Sequence, residues 1–190
     1  MVIRSKDFLA ESKKNYNSLI SEDVIWSRPI SRHLSTGSTF TKSQLLVSSR
    51  GVGQFYYPND VRAMDWDSPY NEKASNIKQL SKVVVEQLCK SVPSSKVNSC
   101  MMTYLTSHCD YIGFQNEKGT KNPLDSQAIV FLGNAREISF KEEKGDRVVN
   151  SWIMPGDLIV IAGSSWRLSI PKTTKSKCRD GSIVIWFRNV

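Results

Sequence analysis

"FLGNAREISFK", residues 131–141, is the stretch on which the fold turns. Gly133-Asn134 makes a two-residue turn pair, with glycine suited to a positive φ. Beyond it Ile138 and Phe140 alternate with polar residues, the period of a strand with one buried face. Apolar residues from Ala128 to Leu132 lead into the turn. The stretch predicts strand, hairpin turn, strand.

That texture spreads outward. Short apolar or alternating runs recur at 99–105, 110–115, 127–132, 136–141, 147–153, 157–162 and 182–188. Gly145-Asp146, Pro155-Gly156 and Asp180-Gly181 are further turn pairs between them. Upstream of Pro93 the pattern changes. Leu9, Tyr16, Leu19 and Ile20 share one face of a helix predicted within 7–20. Ser68 as cap and Pro69 in the first turn open a second helix over 69–90, with Ile77, Leu80, Val84 and Leu88 at helical spacing. Residues 28–60, rich in Ser, Thr and Gly, read as loops and short strands lying over the body of the domain. Two helices followed by seven or eight hairpin-linked strands predict an α+β fold. Strand runs of this sort close into a sandwich or barrel because open edges invite aggregation.

The 190 residues suit a single domain, and an apolar content of 39% supports a packed core. The longest apolar runs, such as Leu158 to Ala162, are too short to span a bilayer. The opening MVIRSKDFLAESKK has no apolar stretch of a secretory signal, so a soluble, cytoplasmic protein is expected. Cys89, Cys100, Cys109 and Cys178 form no C-x-x-C pair and suggest neither a zinc site nor a disulfide framework.

Net charge is +8, which favours a polyanionic partner and nucleic acid first. Its distribution sharpens the point. No acid occurs between Arg28 and Asn59, or between Lys172 and Arg179, while each stretch carries four basic residues. In the first region aromatic rings interleave with cations, as stacking of unpaired bases beside phosphate contacts requires. The candidate nucleic-acid residues are Lys42, Arg50, Tyr56, Arg62, Trp66, Lys172 and Lys175. No nucleophile elbow, P-loop or dinucleotide-binding turn is present.

In order and spacing, the segment from Asn98 to Val190 resembles the catalytic core of the AlkB-like dioxygenases, which use iron(II) and 2-oxoglutarate. The nearest likeness is to the branch carried in replicase polyproteins of plant RNA viruses. Those cores read approximately as a tyrosine-bearing strand, "IGxHxDxE", "SLGxxRxFxF", "GDLxxMxG", "HSIPK" and "RxSLTFR". The counterparts here are "MMTYL", "IGFQNEKG", "FLGNAREISFK", "PGDLIVIAG", "LSIPK" and "SIVIWFRNV". The resemblance implies a double-stranded β-helix, or jelly roll, with two flanking N-terminal helices. It implies one domain over 1–190: helices and a nucleotide-recognition lid within 1–97, the lid at about 36–66, and the jelly-roll core at 98–190.

The resemblance also implies where the iron ligands should be. Gln115 and Glu117 fall on the first histidine and the carboxylate, and Leu168 on the distal histidine. Glu117 can replace an aspartate, but a glutamine amide is a poor substitute for imidazole, and leucine has no lone pair. The co-substrate positions are matched by Tyr104 and Arg188. Met102 and Ser182 stand where an asparagine and a second arginine are expected, unless Arg179 reaches in from the turn. The chain has two histidines, His33 and His108. The triplet His108-Cys109-Asp110 lies upstream of the matching register, and no histidine follows it.

Two readings follow from that. In the first, an AlkB-like domain has lost iron and cofactor and serves as an RNA- or protein-binding module in viral replication. In the second, an active iron(II)/2-oxoglutarate dioxygenase demethylates alkylated RNA bases through an unusual ligand set. A basic coat- or movement-type protein is a third possibility, should the resemblance be accidental.

Overall fold

A computed structural model describes residues 2–20, 30–32, 39–41, 45–50, 82–84, 86, 90, 99–114, 127–142, 144–161, 166–174 and 181–188; for 30–32, 39–41, 45–50, 99–101 and 188 it describes the backbone alone. The named elements are β1 (Val2–Ser5), α1 (Ser12–Leu19), β2 (Ile30–Arg32), β3 (Thr39–Thr41), β4 (Leu45–Arg50), β5 (Ser99–Leu105), β6 (Gln127–Gly133), β7 (Arg136–Glu142), β8 (Val148–Ile153), β9 (Leu158–Ile161), β10 (Trp166–Ser169) and β11 (Ser182–Arg188). A six-stranded antiparallel sheet runs β1-β9-β6-β11-β5-β4, a three-stranded sheet runs β10-β7-β8, and β2 pairs with β3.

The apolar pattern explains the layers. β6, β9 and β11 read as nearly unbroken hydrophobic runs because both faces of the larger sheet are covered. On one face Met102, Val130, Leu132, Val160, Ile183 and Ile185 pack with Tyr16 and Leu19 of α1 and with Val84. On the other, Leu105, Ile129, Phe131, Ile161, Val184 and Trp186 meet Ile138, Phe140, Ile153 and Leu168 of the smaller sheet. The described residues are thus mainly antiparallel sheet with few in helices, in a jelly-roll-like arrangement.

Two of the expected hairpins are crossovers. Gly133-Asn134 joins β6 of the larger sheet to β7 of the smaller one, and Pro155-Gly156 joins β8 back to β9. Gly133 does adopt a positive φ, 83°, and a Cβ there would stand 2.7 Å from both Gly181 O and the Tyr16 ring. Its turn is held to another turn, with Asn134 N–H donating to Gly181 O at 3.0 Å. Gly145-Asp146 does close a hairpin, with Lys141 opposite Val148 across β7 and β8.

The N-terminal half shares in this body. β1 pairs with β9, and β4 pairs with β5 with a register shift between Ser48 and Arg50. Arg4 Nε donates to the carboxylate of the buried Asp157 at 3.0 Å, and Asp157 also accepts the backbone N–H groups of Asp7 and Met154. The first helix is shorter than its predicted span of 7–20. Most of the second, 69–90, lies outside the described residues; 82–84, 86 and 90 are helical, with Val84 buried and Lys82, Val83, Glu86 and Lys90 exposed. Of the lid at 36–66, β3 and β4 are described and the rest is not.

Candidate functional site

Leu168 faces the space between the two sheets. It sits on β10, opposite Phe140 of β7, and is only 3% exposed. Phe140, Ile138, Ile153, Ile170 and Trp186 belong to the same apolar cluster. Ile112 and Ile170 form an antiparallel bridge, exchanging both backbone hydrogen bonds at 2.8 Å. The chain entering Gln115 is thereby laid against the strand that carries Leu168. Gln115 and Glu117 themselves lie outside the described residues.

A second constellation lies in the loop after β5. The Asp110 carboxylate is buried and accepts hydrogen bonds from Thr106 Oγ1 at 3.1 Å and from Ser107 N–H at 3.0 Å. It caps its own turn. Arg136, 0% exposed, fastens that turn to β7 and β11: Nη2 donates to Ser107 O at 2.7 Å, Nη1 to Asp110 O at 3.4 Å, and Nε to Ser182 Oγ at 3.1 Å. Ser182 Oγ in turn donates to Asn134 O at 3.0 Å. Burying a guanidinium is costly without such partners. His108, half-buried, accepts the Thr173 N–H on its carbonyl at 2.9 Å. Among the described residues no three His, Cys, Asp or Glu side chains converge as a metal site.

Among the described candidates, Tyr104 and Leu168 lie on opposite faces of the larger sheet. Tyr104 lies on the helix-covered face of the larger sheet, where its hydroxyl is 3.2 Å from that of Tyr16 and the rings meet edge to face at 6.3 Å. Leu168 is on the opposite side of that sheet, so the structure does not bring the two together. Arg188 ends β11 opposite Ser99, and Arg50 ends β4 opposite Cys100; only their backbones are described. Lys42, Tyr56, Arg62, Trp66 and Lys175 lie outside the described residues, as do His33 and Arg179.

Lys172 is described, and its surroundings were not anticipated. Its Nζ lies 5.3 Å from the centroid of the Tyr111 ring, a cation–π contact. Tyr111 is 52% exposed and Phe114 43% exposed. The run 110–115 holds both rings, with Tyr111 out of phase with the alternating Ile112 and Phe114, but exposure cannot be read from that run alone.

This architecture is the fold of iron(II)/2-oxoglutarate oxygenases. The structure of OsALKBH1 superposes with a TM-score of 0.63 at 15% identity, covering 98% of this chain and 97% of that one. An oxidoreductase of the 2OG-Fe(II) oxygenase family from Burkholderia pseudomallei gives 0.63 at 11% identity, covering 98% of this chain and 84% of its own. No protein-family model matches the sequence, and no curated protein matches it. Leu168, which the motif resemblance sets at the distal-ligand position, offers no donor atom for iron(II) and is packed into hydrocarbon.

Proposed function

We propose that this chain is an oxygenase-fold domain that does not hold iron(II) and works by binding nucleic acid. The burial of Leu168 carries the first half. A facial triad needs two imidazoles and a carboxylate from adjoining strands. Leu168, the residue the resemblance aligns with the distal position, contributes to the inter-sheet core instead. The chain's two histidines do not repair the loss. His108 is in a turn whose Asp110 carboxylate already caps the local backbone, and His33 stands far upstream in sequence. An RNA-demethylating enzyme would need both missing imidazoles.

The binding half is supported by the net charge of +8 and the acid-free basic stretches. RNA is the preferred polymer because the sequence resemblance is to replicase-borne domains, which also makes a viral replication setting the natural context. Filter binding of single-stranded RNA across a salt series tests this. Affinity is expected to fall linearly on logarithmic axes as salt rises, because each phosphate contact releases counterions. No binding, or binding indifferent to salt, would refute the nucleic-acid reading.

A further inference from the structure

We propose that the loops at 107–114 and 170–174 form a stacking site for single-stranded nucleic acid, with Tyr111 and Phe114 as platforms and Lys172 as the phosphate contact. The proposal rests on the nucleic-acid reading above and gives it a place. Tyr111 and Phe114 are among the exposed large hydrophobic residues of the described chain, at 52% and 43%. They lie either side of Gly113, where an added Cβ would meet no described residue within 4 Å. Among the described residues, then, open space borders two exposed rings on one short segment. Lys172 puts an ammonium 5.3 Å from the Tyr111 ring centroid, so a cation and a platform stand together.

The segment is held rigidly enough to serve. The Ile112–Ile170 bridge ties the two loops, Thr173 N–H donates to His108 O, and the buried Arg136 grips the carbonyls of Ser107 and Asp110. Pre-ordered rings lose little entropy on binding. The local electrostatics favour an anion. In 106–114 and 166–174 the only acid is Asp110, and its carboxylate is buried and engaged within its own turn. The sequence then continues with Lys175, Lys177 and Arg179. Exposed rings beside cations suit unpaired bases, whose faces are available; in a duplex those faces are occupied by neighbouring pairs.

Fluorescence anisotropy with a labelled oligouridine of about twelve nucleotides, within the usual span of such sites, is the test. A single-stranded DNA of equal length and an RNA duplex serve as comparison arms. The full chain should prefer either single strand to the duplex. Tyr111→Ala and Phe114→Ala should each weaken binding about five- to a hundredfold. Lys172→Ala should reduce the slope of log affinity against log salt by about 0.7, while the aromatic variants leave that slope unchanged. Gly113→Glu places bulk and negative charge in open space, so it should weaken binding with an unaltered melting temperature. This variant keeps the test decisive if an aromatic variant melts early. If the parent protein binds and the variants bind equally well, the site is wrong and the nucleic-acid reading stands. If the parent protein does not bind, both fall. Preference for the duplex would overturn the stacking mechanism.

Discussion

At the scale of single residues, the proposed loss of iron rests on Leu168, while Arg136 holds the neighbouring loop in place. Leu168 fills hydrocarbon space; its burial is worth about 1.5–3 kcal/mol. Leu168→His would place an imidazole among Phe140, Ile138 and Trp186, and is expected to cost about 2–4 kcal/mol. Leu168→Met, which conserves volume, should cost less than about 1.5 kcal/mol. Chemical denaturation of both variants checks this. A histidine variant as stable as the parent protein would mean that the pocket is polar and roomy, contrary to the packing described. That the chain has only two histidines is read directly from the sequence; which positions would face a metal rests on the motif order. The role of Arg136 was not legible there: a strand-start arginine gives no hint that its guanidinium will be buried against two carbonyls of a loop 26–29 residues earlier.

At the scale of elements, strands were more legible than their connections. The run at 99–105 coincides with β5, and those at 127–132, 136–141 and 182–188 coincide closely with β6, β7 and β11. Yet Gly133-Asn134 and Pro155-Gly156 cross between sheets, because turn residues specify a local reversal and say nothing about which sheet the next strand enters. β1 escaped notice because Val2-Ile3-Arg4-Ser5 is too short to show a period. What seats it is Asp157, buried at the start of β9 and bound by Arg4. Arg4→Ala should destabilise the fold by about 2 kcal/mol or more, since the carboxylate would stay buried with its backbone donors but no cation. Thermal melting checks this. An unchanged melting temperature would show that β1 contributes nothing to the sheet.

At the scale of the whole molecule, the proposal is that one fold is put to a different use. The likeness to oxygenase structures spans nearly the full chain at low identity, as expected when layer packing is kept while the residues within it change. The Asn98–Val190 half was readable from ordered motifs. Most of the proposed lid at 36–66 offers no hydrophobic period, so its part in binding rests on charge and aromatic content. The central claim, that the barrel interior does not grip a catalytic cation, meets its most direct test in manganese(II) titration of the purified chain with and without 2-oxoglutarate, followed by calorimetry. The account predicts no saturable uptake and no effect of 2-oxoglutarate. Tight manganese binding that 2-oxoglutarate strengthens would contradict it and return the chain to the working enzymes of its fold.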